Sequence, residues 1–273
     1  MYTPGRGFAS IPPVLKNLLI INILMFLVMI VLQRITNIDL NRILGLYYFK
    51  SEYFRPYQFV THMFMHGGFT HIFLNMFMLW MFGRVLEQVW GGKRFLIYYF
   101  FTGLGAATLH ILVTHIEMNS LMKEVAAFTN TPSPEIFASF LKGNLPKSSP
   151  QLYDFIQAWS ADPSNPSYAN EAIDFANKLL KSKIDIPTVG ASGAVYGVLL
   201  AFGVIFPNMP LVLIFFPFFP IKAKYMVIAM GVLELIYGFS MPGSNVAHFA
   251  HLGGMIFGFL LIRIWKSTTR NFY

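Results

Sequence analysis

The sequence predicts an all-α, polytopic membrane protein: a bundle of six transmembrane helices carrying an inserted polar module. Three observations predict it. Of 273 residues, 55% are hydrophobic and only 12% charged, a makeup outside that of ordinary soluble domains. Six apolar runs are long enough to cross about 30 Å of hydrocarbon at about 1.5 Å per residue. Between the third and fourth runs, residues 116–187 hold six lysines and eight acids, a polarity that no span tolerates.

The first span, 14–33, starts just after Pro12-Pro13, where a missing N–H costs nothing because the first helical turn offers it no acceptor. Its apolar stretch is too long for a cleaved signal, and no small-x-small site follows. Residues 35–68 are too aromatic for a solvated loop and too interrupted for a span, so they are expected to lie in the outer interface. Spans at 69–86 and 95–115 follow. Residues 116–187 contain the clusters "NTPSP" and "ADPSNPS" and amphipathic stretches such as "EAIDFANKLLKSK", the pattern of a small, mostly helical module. The last spans are 189–206, 224–240 and 248–266. The chain thus divides into 1–115, 116–187 and 188–273.

The formal charge of +8 fits basic residues at the cytoplasmic ends of spans, and no nucleic-acid partner is expected. Arg6, Lys16, Arg84, Lys93, Arg94, Lys222, Lys224, Arg263, Lys266 and Arg270 fall on one side. Arg34, Arg42, Lys50 and Arg55, partly offset by Asp39 and Glu52, fall on the other. The bias puts both termini inside and the 116–187 module outside; the membrane is expected to be a bacterial inner (cell) membrane. With no cysteine, a nucleophile must be an oxygen and a metal site must use His and carboxylates.

Polar residues inside spans are costly there and are the functional candidates. Ser192 lies in Gly190-Ala191-Ser192-Gly193 with Tyr196 one turn on and Gly197 four residues after Gly193. A serine in a membrane helix commonly bonds back to its own carbonyls. At a helix N-terminus, however, unpaired N–H groups and the positive dipole end offer a place for an oxyanion. His251 is followed by Gly254 and Gly258 on roughly its own face, so Gly193 and Gly197 could dock there and bring Ser192 to His251, as a base-activated serine requires. His248, one turn earlier, is read as structural or interfacial. His71 and Asn75 share a face of the second span and are read as hydrogen-bonding groups. A metal site with His62 and His66 is the alternative, though the chain has no His-Glu-x-x-His. Arg84 and Glu87 are read as structural, tying down the loop at Gly91-Gly92. Glu234 stands alone in its span, and the last span has no acid of its own.

Together, His71-x-x-x-Asn75, Gly190-Ala191-Ser192-Gly193 and His251-x-x-Gly254-x-x-x-Gly258, in this sequence order, resemble the rhomboid intramembrane serine proteases. The resemblance implies a helical bundle open to water from the outer side and a serine–histidine dyad without a third acid, needing no cofactor or metal. It also implies transmembrane protein substrates cleaved within the lipid bilayer. By matching positions, Ser192 is the nucleophile and His251 the general base. His71, Asn75 and the Ser192 N–H form the oxyanion hole, and Tyr196 packs on the His251 ring. In place of the family's Trp-Arg pair in the first outer loop stand Tyr57 and Gln58, and the 116–187 insert has no counterpart in the compact family core. The alternative is an inactive relative that binds or scaffolds transmembrane clients; such relatives usually lack the serine or the histidine, and both are present here.

Overall fold

The computed structural model describes residues 11–145, 150–213, 216–240 and 247–268; Arg6 and Arg270, used above for orientation, lie outside them. The described chain is helical apart from one short hairpin, and it divides into two units: one of residues 1–49, 53–112 and 187–273, the other of 50–52 and 113–186.

In the larger unit, α1 (Pro13–Thr36) opens on Pro12 without a side-chain cap of its own. Its first free donors are met from a distance: Glu87 accepts the Val14 N–H at 3.0 Å and the Leu15 N–H at 2.7 Å. A carboxylate thus sits at the positive end of the helix, where the dipole favours it. This is the structural role expected of Glu87, directed at α1. The rest of α1 leaves Ile20, Leu24, Leu27, Val28 and Val31 about half exposed, an apolar surface suited to lipid.

Residues 35–68 fold into α2 (Leu40–Leu44), α3 (Gln58–Thr61) and a 3₁₀ turn at His62–Phe64. Gln58 pins this segment. Its Nε2 donates to the carbonyls of Tyr53 and Ile43, and its Oε1 accepts from the N–H groups of Arg55 and Tyr47. Every hydrogen-bonding site of a buried amide is used, so Gln58 anchors this loop.

Beyond it, α4 (Phe69–Trp90) and α5 (Gly92–Asn130) follow. The third helix overruns the expected span end at 115: "SLMKEVAAF" is rich in helix formers, and no breaker comes before Thr131-Pro132. Only the part up to Leu112 belongs to the larger unit.

In the smaller unit the remainder of α5 joins α6 (Pro134–Asn144), α7 (Pro150–Ala161) and α8 (Pro166–Ile184). The Pro/Ser clusters are helix starts. Ser133 and Asn165 cap α6 and α8 through the N–H groups of Ile136 and Ser167, each with proline at the first helical position. The core is aromatic: the fully buried Phe137 ring packs within about 6 Å, centroid to centroid, of Phe128, Phe155, Trp159 and Phe175.

Returning to the larger unit, α9 (Ser192–Ile205) is followed by β1 (Pro210–Leu213), β2 (Phe216–Lys222), α10 (Ala223–Ser240) and α11 (His248–Thr268). The antiparallel β1–β2 hairpin is absent from the sequence reading. Prolines are tolerated in a two-stranded ribbon because each strand is an edge. Among the described residues, five helices (α1, α4, α5, α10 and α11) are long and apolar enough to cross a membrane, and α9 is a shorter apolar helix. The molecule is a polytopic membrane protein of all-α type apart from that hairpin. Its centre is α9, buried almost all round and packed against α4, α10 and, most extensively, α11.

Candidate active site

The turn before α9 is built to a tight specification. Gly190 has φ +129°, and a Cβ there would lie 2.8 Å from both Cε1 and Nε2 of His71 and 3.6 Å from Ser192 Oγ. Both the backbone conformation and the room available exclude a side chain. The Gly190 N–H donates to the His62 carbonyl at 2.9 Å, and just upstream Thr188 exchanges two backbone hydrogen bonds with Leu46. His110 of α5 holds the Thr188 hydroxyl at 2.7 Å. The 35–68 segment, with His110, thereby fixes where α9 begins.

Ser192 is the first residue of α9, so its N–H and those of Gly193 and Ala194 lack acceptors within the helix. Its Oγ lies 2.8 Å from His251 Nε2 on α11. The ring of Tyr196, one turn along α9, stacks on the imidazole with centroids 4.2 Å apart and planes 5° from parallel. Ser192, His251 and Tyr196 therefore meet at the start of α9.

The approach of α9 to α11 rests on Gly254, whereas a Cβ on Gly193 would first meet Ala106 of α5. A Cβ on Gly254 would come 2.8 Å from the Gly193 carbonyl carbon and closer still to its oxygen, so backbone meets backbone as in small-residue helix pairs. The expected pairing needs correction at the next turn. Gly197 faces Thr102 of α5, 2.6 Å from where a Cβ would be, and Gly258 faces Tyr98 and Thr102 of the same helix. Tyr98 also donates its hydroxyl to the Gly197 carbonyl at 2.8 Å. These two glycines admit α5 as a third helix to the α9–α11 seam.

On α4, His71 Nδ1 receives the Gly67 N–H at 3.4 Å. That acceptor role puts the proton on Nε2, the nitrogen nearest the Gly190 turn. Asn75, one turn further along α4, is buried with its amide nitrogen unpartnered among the described residues. His66 stands edge-on to His71 with centroids 5.2 Å apart, and both its ring nitrogens are buried without hydrogen-bond partners among the described residues. His62 Nδ1 is committed to the Gln58 carbonyl at 2.8 Å. Burial pushes both His62 and His66 down to about 4, so each is neutral near pH 7.

The sequence reading missed Glu234. It is neither alone nor remote from His251: its Oε2 lies 3.0 Å from His251 Nδ1 and 2.6 Å from His248 Nδ1, and its Oε1 accepts the Tyr196 hydroxyl. The last span has no acid, but α10 supplies one. The His251 contact is at ion-pair distance yet off the axis of a linear N–H···O bond. Glu234, His248 and His251 are also the described residues whose ligand atoms gather closely enough to share an ion. Separations of 2.6 and 3.0 Å are shorter than the roughly 3.3 Å edge of a tetrahedron with about 2.0 Å metal–ligand bonds. The 2.6 Å separation is that of a hydrogen-bonded His248–Glu234 pair.

Comparison with known proteins fits this geometry. The Rhomboid domain family model matches residues 53–127 and 167–267, well over half of the chain, including His71, Asn75, Ser192, Glu234 and His251. Residues 128–166 fall between the matched stretches, a narrower interruption than the polar module as a whole. Rhomboid-like protein 11, chloroplastic, from Arabidopsis thaliana is 40% identical over 57 residues. That match covers 21% of this chain and 20% of the relative, so the chain spans about a fifth of that protein's length. The extent of the family match, together with the site it encloses, places the chain in the rhomboid family.

Proposed function

We propose that the protein is an intramembrane serine endopeptidase that cleaves transmembrane segments of other membrane proteins. The observation that carries this reading is the 2.8 Å contact between Ser192 Oγ and His251 Nε2 at the N-terminus of a buried helix. In the mechanism, the Ser192 hydroxyl attacks the scissile carbonyl carbon while its proton passes to His251 Nε2. The oxyanion so formed is held by the Ser192 N–H, the His71 Nε2–H and the Asn75 amide, donors available before reaction and costing no reorganisation. His251 then protonates the leaving amine. Water, activated by the same nitrogen, releases the acyl group.

Six spans, with α9 the short one, suit this chemistry. At 14 residues, α9 is about 21 Å long against about 30 Å of hydrocarbon. A helix that reaches the inner boundary therefore starts several ångströms below the outer surface, at the depth of a substrate's peptide bond. The basic residues orient the protein with both termini cytoplasmic in a cell membrane of bacterial type, and with the α6–α8 module outside.

Reaction of the detergent-solubilised protein with a fluorophosphonate probe tests the assignment. Label found on Ser192 by peptide mapping and lost in Ser192→Ala is expected. Label that persists in Ser192→Ala removes the nucleophile.

A further inference from the structure

We infer that Glu234 is a positioning residue for His251, making the site a Ser192–His251–Glu234 triad assembled from three helices; this rests on the serine-protease reading above. A carboxylate within a membrane span is expensive unless compensated, and Glu234, 7% exposed, is held at both oxygens. Tyr196 of α9 donates to Oε1, and His248 of α11 donates to Oε2 at 2.6 Å. So fixed, Oε2 faces His251 Nδ1 at 3.0 Å.

Three consequences follow for the base. The carboxylate favours the tautomer with its proton on Nδ1, which leaves the Nε2 lone pair for the Ser192 hydroxyl. When the hydroxyl proton reaches Nε2, the imidazolium forms beside an anion. Glu234 stays ionised throughout: it takes no proton, and the one that His251 gains goes on to the leaving nitrogen, as in other serine triads. The ring plane is also set twice by the same carboxylate, directly at Nδ1 and through Tyr196, whose hydroxyl it holds and whose ring lies flat on the imidazole. Packing by Tyr196 alone fixes the ring's plane but not its tautomer.

The deciding experiment is fluorophosphonate inactivation of the full chain in detergent, separating the inactivation rate constant from probe affinity, for wild type, E234Q, E234D and His248→Ala. The amide of E234Q keeps an oxygen for Tyr196 and turns an N–H donor towards Nδ1, which selects the wrong tautomer. Its rate constant should fall by about 10²- to 10⁴-fold with probe affinity and thermal stability unchanged. E234D, which keeps the charge, should lie between E234Q and wild type. If E234Q does not fold, E234D decides: a slower rate constant at unchanged affinity supports the triad, and a wild-type rate constant overturns it. A wild-type rate constant in E234Q also overturns it, as does a loss confined to probe affinity. A loss reproduced in full by His248→Ala would assign the carboxylate to pairing α10 with α11 and overturn it too. Wild type that takes up no label at Ser192 removes the protease reading and this inference together, whereas a labelled wild type matched by E234Q removes this inference alone.

Discussion

A single methyl at Gly254 should do more damage than its size suggests. In Gly254→Ala the new Cβ lies 2.8 Å from the Gly193 carbonyl carbon, and its oxygen is nearer, where ordinary contact needs 3.4 Å or more. Both partners are helix backbone, so no rotamer change relieves the clash and α9 and α11 must separate. Relief of the oxygen contact requires more than about 1 Å, which stretches the 2.8 Å Ser192–His251 contact beyond hydrogen-bond range; a misplacement of this order costs about 10²-fold in rate or more. Cleavage of a fluorescent transmembrane peptide in micelles, with thermal unfolding of the same sample, measures both the rate and the integrity of the fold. Gly143→Ala is the control, since a Cβ there meets nothing within 4 Å. A folded Gly254→Ala variant with wild-type turnover would refute the claim that the seam at Gly193 sets the distance between serine and histidine.

Removing a proposed oxyanion donor, by His71→Ala or Asn75→Ala, should lower turnover about 10²- to 10³-fold while fluorophosphonate labelling of Ser192 stays detectable; unchanged turnover in both would count against the donors named. Gln58→Ala takes partners from two N–H groups and two carbonyls in the outer loop and should destabilise the protein by about 2 to 4 kcal/mol, read as a lower unfolding temperature. Acid should act through His62 and His66. Both are depressed to about 4 from an ordinary 6.5, so the unfolded chain binds protons first. Stability is complete above about pH 6.5 and falls as pH drops towards 4, by about 3 kcal/mol for each ring. Unfolding temperatures measured between pH 7.5 and 4.5 should show this slope, and His62→Gln should flatten it.

Ser192 and His251 were legible because each sits in a short motif whose glycine spacing fixes a helix face, and a face with a hydroxyl or an imidazole above a notch has few uses. What lies in the notch is not written there. Gly193–Gly197 and Gly254–Gly258 read as one matched pair of surfaces, but only Gly193 meets Gly254, and α5 occupies the other turn. Glu234 escaped for the same reason: periodicity assigns it a face of α10 but not the helix opposite, and neither histidine it meets is close in sequence. The third span was placed by hydropathy, which ends near residue 115, whereas the helix ends where helix formers give way to Thr131-Pro132. Gln58 was recognisable as a departure from a family pattern; that four backbone partners converge on it is a property of the folded loop.

Whether Ser192 and His251 act as one catalytic unit is decided by comparing transmembrane-peptide cleavage by Ser192→Ala, His251→Ala and the double variant. If the two form one unit, the three losses are similar in size, because the second substitution finds nothing left to remove. Losses that multiply in the double variant, or a single variant that still cleaves at the wild-type rate, would contradict the account.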